Sequence, residues 1–190
     1  MFSPEAGATL IFNGIYEVDN SLTGAGTILL NNGTFTLNGN INGSNVVLNG
    51  ANLAAVNTVI NSALTWNNGN INPGSIMTVA TNGWLTLGGG SGHYCYGILT
   101  NAGTIQLPAG GNSLALQGSY YGAACELVNL PGALVDIQGD NSISPYQTEL
   151  VLNQGTVRKS GGTGTTTIST LFTNSGTLDV QTGTVNLSNA

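Results

Sequence analysis

The acidic side chains that come closest to a catalytic pattern lie in the stretch VDIQGDNS and just after it. Asp136 and Asp140 are separated by four positions, and Glu149 follows. Carboxylate pairs act as acid and base in glycosidases and as ligands for Ca²⁺. Together with Arg158, Asp136 and Asp140 could form the acid and base set of a polysaccharide-cleaving enzyme. Paired aspartates beside a turn more often form Asx turns on a solvated surface, so we assign no catalytic residue here.

The other familiar catalytic and metal-binding patterns are absent from the sequence. His93 is the single histidine, and no G-x-S-x-G motif accompanies it. One histidine and two cysteines lack both C-x-x-C spacing and a fourth ligand for zinc. The Gly-rich stretch 159–170 lacks G-x-x-x-x-G-K and is not a phosphate loop. The sequence therefore predicts no metal site, no cofactor and no enzyme.

Aromatic side chains are concentrated in two stretches, GGGSGHYCYG (88–97) and GSYYGAACE (118–126). Tyrosine rings can stack on the apolar faces of sugars, or they can cover a protruding loop and anchor it through their hydroxyl groups. Both interpretations remain open. The candidate ligand-contact residues are His93, Tyr94, Tyr96, Tyr120 and Tyr121.

The composition limits the possible partners. Charged residues make up 5% of the chain, against roughly 25% in ordinary globular proteins. The net charge is −6, and Arg158 and Lys159 are the only lysine or arginine residues. A protein without a cationic surface cannot displace counterions from phosphates, so we expect no nucleic-acid partner. No apolar run approaches the roughly 20 residues of a transmembrane helix, so we expect no membrane insertion.

A short motif, Gly-x-apolar-polar-apolar, recurs along the chain, for example as GTFTL at Gly33, GTIQL at Gly103 and GTLDV at Gly176. Asn usually precedes the Gly, and both residues favour turns. The alternation after each Gly predicts a short strand with one buried face. The expected inward pairs are Phe35/Leu37, Leu85/Leu87, Ile105/Leu107, Val135/Ile137, Leu178/Val180 and Val185/Leu187.

The spacing of these motifs predicts an all-β parallel β-helix, or β-solenoid, with about 20–23 residues per coil. Turn glycines 83, 103, 132, 155 and 176 recur at this period with one longer interval, and periods of this size are typical of solenoids. A β-sandwich would instead have turns every 8–12 residues. We expect one β-helical domain over residues 1–190, a segment of a longer repeat protein, with loop insertions near 88–97 and 118–126.

Counting along the repeat predicts that the two cysteines lie next to each other. Cys95 lies eight residues before Gly103, and Cys125 lies seven before Gly132. Stacked coils would bring such positions within disulfide range, so we expect a Cys95–Cys125 bond and an oxidising, extracellular setting.

The charged residues show a similar regularity. Arg158 and Asp179 each lie three residues after a turn Gly, and Asp136 has nearly the same phase. The count predicts an exposed charge ladder of Asp136, Arg158 and Asp179.

The stretches LPGALVDIQGD, NQGTVRKSGGTGTTTIS and FTNSGTLDVQTGTVNLS resemble a Gly/Asn/Thr-rich repeat of large secreted bacterial surface proteins, adhesin-like or autotransporter-like. The resemblance covers roughly residues 97–190 well and residues 20–90 only through the general motif. It implies a β-solenoid stalk displayed at the bacterial cell surface, and it supplies no catalytic residues.

The leading hypothesis is therefore a non-enzymatic extracellular stalk, adhesin segment or fibre subunit. Such a module would contact neighbouring repeats of the parent protein or associate end to end with itself. The alternative is a carbohydrate-binding or polysaccharide-cleaving β-helix, for which a glycan is the partner. A third hypothesis, ice binding, requires a flat face of threonines that recurs on every coil.

Overall fold

A computed structural model of the chain describes residues 2–90, 92–110 and 113–188. Its strands wind in parallel into a β-solenoid of about eight turns, with about 21 residues per turn. This confirms the predicted parallel β-helix and excludes the β-sandwich, whose sheets are antiparallel. The predicted loop over 88–97 includes Ser91, which lies outside the described residues.

Each complete turn has three strands, which we assign to a first, a second and a third face. Two long N-terminal strands bend from the second face to the third: β1 (Thr9–Val18) and β2 (Thr27–Leu37). The second face continues with β3 (Asn45–Asn49), β6 (Ala63–Asn68), β9 (Trp84–Leu87), β12 (Thr104–Leu107), β15 (Leu134–Ile137), β18 (Thr156–Lys159) and β21 (Thr177–Val180). The third face continues with β4 (Asn52–Ala55), β7 (Asn70–Ile71), β10 (His93–Cys95), β13 (Leu114–Leu116), β16 (Ile143–Pro145), β19 (Thr165–Ile168) and β22 (Thr184–Leu187).

The first face forms a separate sheet. Its strands are β5 (Thr58–Ile60), β8 (Ile76–Val79), β11 (Ile98–Asn101), β14 (Glu126–Asn129), β17 (Leu150–Asn153) and β20 (Leu171–Asn174). Nearer the N-terminus, single bridges between Phe2, Leu22, Ile41 and Ile60 continue the same column. One short 3₁₀ helix, η1 (Gly118–Tyr121), lies between the third face of one turn and the first face of the next.

The core is a column of inward side chains that follows the predicted period of two. The first four predicted inward pairs are fully buried, and burial of each such side chain contributes about 1.5–3 kcal/mol. The last turn differs. Leu178 and Val185 are partly buried against the core, whereas Val180 and Leu187 are 46% and 48% exposed, because the described chain covers this turn on one side only.

Close packing of successive turns explains much of the recurring Gly. A Cβ atom at Gly103 would overlap the carbonyl oxygens of Ala80 and Gly83 in the preceding turn. Gly132 has open space around it but adopts a φ of +84°, a conformation that L side chains rarely adopt. Glycines in the turns that precede the second-face strands are thus favoured for two different reasons.

Across the residues that the structure describes, we find no helix with the length and apolar character needed to cross a membrane.

Candidate functional site

The most distinctive surface feature is a line of four tyrosine rings, which we call the tyrosine row: Tyr96, Tyr121, Tyr120 and Tyr146. Consecutive ring centroids are 5.0, 4.8 and 5.1 Å apart, and consecutive ring planes meet at 79°, 80° and 87°. Edge-to-face contacts of this kind are favourable beyond the apolar area that they bury. The row is therefore an ordered array and not a set of independent surface side chains.

Three consecutive turns position the tyrosine row. Tyr96 follows β10, and its backbone N–H donates to Ile71 O; Tyr146 follows β16 and donates to Leu116 O. Between them, η1 carries Tyr120 and Tyr121 and ends at Gly122, whose φ of +66° reverses the chain. The row therefore runs along the solenoid axis at the corner between the third and first faces.

The structure brings together three of the five predicted contact residues. Tyr96, Tyr120 and Tyr121 belong to the row, and Tyr146 completes it although the sequence analysis overlooked it. Tyr94 is also exposed, but its ring is not among those in contact within the row.

His93 cannot contact a ligand, because its side chain is 0% exposed. This prediction was wrong because His93 and Cys95 alternate with Tyr94 along a strand. The stretch had been interpreted as a loop, and the inward side of β10 was therefore missed.

A cleft of about 320 Å³ adjoins the tyrosine row. Its walls come from η1, from the segment that follows it and from the start of β17. The lining residues are Ser119, Ala123, Ala124, Cys125, Glu126, Thr148, Glu149 and Leu150.

Glu149 joins the two sides of this cleft. One carboxylate oxygen accepts hydrogen bonds from the backbone N–H of Ser119 at 3.0 Å and from the Ser119 hydroxyl. The other accepts from the backbone N–H groups of Tyr146 at 2.9 Å and Gln147 at 2.8 Å. Burial alone would raise the pKa of the Glu149 carboxyl, but the hydrogen bonds from Ser119 and the backbone outweigh it and lower that pKa. Glu149 is therefore an ionised clamp between η1 and the next turn.

The expected disulfide does not form: Cys95 and Cys125 are both free and buried. The Cys125 thiol instead donates to the backbone carbonyl of Cys95 at 3.2 Å. The pKa of the Cys95 thiol is raised well above its ordinary value. The largest cause is the side-chain hydrogen bond with Cys125, and the second is burial. Cys95 is accordingly a protonated, interior thiol.

Unequal turn lengths explain the error. Two residues separate β11 from β12, whereas four separate β14 from β15, because Asn101 pairs with Asn129 and Thr104 with Leu134. Counting back from Gly103 and Gly132 therefore does not reach matching positions. Cys95 pairs in register with Leu116, and Cys125 directly precedes Glu126, whose partner is Ile98.

Asp136, Arg158 and Asp179 occupy neighbouring positions on β15, β18 and β21. Arg158 Nε donates to Asp136 Oδ1 at 3.0 Å, while Asp179 accepts from the side chain of Gln181. Asp136 is buried and also accepts from Ser160 and Gln138. Burial alone would raise the pKa of the Asp136 carboxyl, but these hydrogen bonds, first that from Arg158, lower it. Asp136 is thus an internal acceptor and not an exposed member of the charge ladder.

Lys159 is a fully buried cation on the inward side of β18. Its Nζ donates to Gly139 O at 2.7 Å, Asp140 Oδ1 at 2.8 Å and Gly161 O at 3.0 Å. The hydrogen bond from Lys159 lowers the pKa of the Asp140 carboxyl. Asp136 and Asp140 therefore bond to different cations, and the predicted acid and base set is occupied by contacts within the fold.

His93 lies against the indole ring of Trp66, with ring centroids 4.9 Å apart. Its Nε2 is 2.7 Å from Trp66 O, and because a carbonyl can only accept, Nε2 carries the proton. Burial lowers the pKa of His93 below its ordinary value of 6.5, and backbone hydrogen bonds offset part of this effect. The folded chain therefore holds a neutral histidine in its core.

We expect the melting temperature to fall as the pH is lowered from about 7 to about 5. Below pH 6.5 the unfolded chain binds a proton at His93 that the folded chain rejects, so stability is lost as the pH falls toward the folded pKa. Calorimetry of the wild type and of His93→Gln, which keeps a donor for Trp66 O, tests this expectation. An equal slope in the two proteins over this pH range would contradict it.

Over residues 2–90, 92–110 and 113–188, no group of three or more histidine, cysteine, aspartate or glutamate side chains is arranged to hold a metal ion. Comparisons of the chain with protein-family models, curated proteins and solved structures found no match.

Proposed function

We propose that the chain is a non-enzymatic structural module, a stiff β-solenoid segment of an extracellular bacterial surface protein that works as a stalk, adhesin segment or fibre subunit. One observation carries the proposal: the ionisable side chains best suited to chemistry bond adjacent turns to each other. Glu149 bonds the η1 loop to the next turn. Arg158 reaches Asp136, and Lys159 reaches Asp140, each from the following turn.

A continuous polar column supports the same proposal. The asparagine ladder comprises one residue from each of four successive turns: Asn101, Asn129, Asn153 and Asn174. Successive side-chain amides bond at 2.8, 2.7 and 2.6 Å. Hydrogen-bonded polar columns fix one register between turns, and a fixed register gives the solenoid its axial stiffness.

The extracellular part of the proposal now rests on the resemblance of residues 97–190 to secreted bacterial repeats. Free Cys95 and Cys125 remove the disulfide as a reason for an oxidising compartment.

Assays for polysaccharide cleavage test the non-enzymatic assignment. We expect neither new reducing ends nor unsaturated products from neutral and acidic plant and algal polysaccharides. Turnover that disappears in Asp136→Asn or Asp140→Asn would replace the structural assignment with the polysaccharide-cleaving alternative.

We propose further that a protein made of residues 1–190 alone associates with a second copy through its last described turn, the surface that a neighbouring repeat of the parent protein would otherwise cover. The inward side chains Val180 and Leu187 of that turn are about half exposed, and the backbone of β20, β21 and β22 is open to a further strand on one side. Unpaired strand edges beside apolar side chains favour association.

Sedimentation velocity over rising protein concentration should show oligomers of the wild type and a monomer of the variant Val180→Lys/Leu187→Lys. Leu171→Lys is the matched control, because Leu171 is equally exposed but lies on the outward side of β20. A monomeric wild type at every concentration would reject the association.

A further inference from the structure

We propose that the tyrosine row, together with the cleft beside it, binds a neutral oligosaccharide. This activity goes beyond the structural role, which stands whether or not a ligand binds.

The first argument is the exposure of the rings. Tyr120 and Tyr121 are each 57% exposed, and Tyr146 is 47% exposed. A contiguous aromatic surface on a soluble domain marks an interaction site more often than a single exposed ring does. Glu149 and η1 hold this surface in place, so a ligand would not have to order it.

The second argument is the hydrogen-bonding character of the site. The cleft contributes the hydroxyl of Thr148 and that of Ser119, which donates to Glu149 and can still accept a hydrogen bond; Ser119 directly precedes Tyr120 of the row. Burial and the neighbouring tyrosines raise the pKa of Tyr96, so its phenol remains a donor at neutral pH. Ring faces for C–H groups, next to neutral donors and acceptors for hydroxyl groups, match the two surfaces of a sugar.

The third argument is charge. Glu126 and Glu149 are the charged residues of the cleft, and it contains no lysine or arginine. Arg158 and Lys159, the only such cations of the chain, are bonded to Asp136 and Asp140 elsewhere. Uronate, sulfate and phosphate groups would therefore meet negative charge without a compensating cation, so among saccharides the site favours uncharged ones.

The fourth argument is the length of the row, which favours an extended ligand. The row extends over three turns with about one ring per 5 Å, which suits a chain of sugars and not a single sugar.

Titration calorimetry and amide chemical-shift mapping with cellohexaose, mannohexaose and xylohexaose test the proposal on the full chain. We expect at least one neutral hexasaccharide to bind and to shift amides of residues 118–122 and 146–149. Tyr120→Ala/Tyr121→Ala should weaken binding by about tenfold or more, equivalent to a loss of about 1.4 kcal/mol. Tyr94→Ala, which removes an exposed tyrosine outside the row, should bind as the wild type does.

Tyr146→Ala, at the opposite end of the row, provides a second test if the double variant unfolds, and circular dichroism checks folding of each protein. Absence of binding to all three hexasaccharides would overturn the proposal, as would equal or tighter binding of oligogalacturonate. Binding of a proline-rich decapeptide in place of the sugars would also overturn it. Unchanged affinity in a folded row variant would move the site elsewhere and refute the assignment.

Discussion

Replacing Asn129 by Ala is expected to lower the free energy of unfolding by about 2–4 kcal/mol. Asn129 is fully buried in the middle of the asparagine ladder. Its side chain accepts a hydrogen bond from Asn101 and donates to Asn153 at 2.7 Å and to Thr156 O at 3.1 Å. Ala removes all three bonds and leaves the Asn153 oxygen without that donor in a region closed to water, which is the costly case for a polar group.

Asn174→Ala is the matched control for this substitution. Asn174 occupies the same ladder position one turn after Asn153 but is exposed to solvent, so water can replace its partner and the expected loss is below about 1 kcal/mol. Urea unfolding of both variants and the wild type gives the two values. A loss in Asn129→Ala no larger than in Asn174→Ala would show that the ladder contributes little to stability.

The β-solenoid was predictable because its determinants are local and repeated. The alternation in GTFTL and GTIQL defines inward side chains such as Phe35 and Ile105 within a few residues. Their burial follows from stacking the same unit again. Asn before Gly likewise appears in several copies, and the structure uses Asn101 and Asn153 from these copies in the ladder.

The Cys95–Cys125 prediction failed because pairing between turns depends on the lengths of the connections. The longer connection between β14 and β15 changed the register by two residues, and no local pattern signals such a change. Arg158 and Asp179 were correctly placed beside each other because equal connections precede their strands.

The candidate site was only partly predictable for a related reason. Tyr96, Tyr120 and Tyr121 could be selected from the sequence because they lie within the two stretches that interrupt the repeat. Tyr146 joins them from a later turn, and Glu149 fixes η1 across the cleft. Their roles depend on contacts between turns, which a single sequence does not display.

Glu149→Ala is expected to lower the free energy of unfolding by about 2 kcal/mol or more and to loosen the tyrosine row. The substitution leaves the donors of Ser119, Tyr146 and Gln147 without their shared acceptor. Each unsatisfied buried donor costs about 1–3 kcal/mol. The part-buried Ser119 groups carry most of this cost, because Tyr146 N–H retains Leu116 O and water can reach the exposed Gln147. Because Ser119 directly precedes Tyr120, η1 would lose its anchor to the next turn, whereas Tyr146 would keep its hydrogen bond to Leu116 O.

The pH dependence of stability distinguishes the contribution of the ionised Glu149 carboxylate from that of its side-chain packing. The folded pKa of Glu149 lies below its ordinary value of 4.5, so its contribution is present above pH 4.5 and is lost as the pH falls through the folded pKa. The difference in melting temperature between wild type and Glu149→Ala should therefore shrink below about pH 4.

Glu126→Ala, which removes the other cleft carboxylate, should leave both stability and the near-ultraviolet circular dichroism of the tyrosines unchanged. If Glu126→Ala and Glu149→Ala behaved alike, or if the difference persisted at low pH, Glu149 would not act as an ionised clamp.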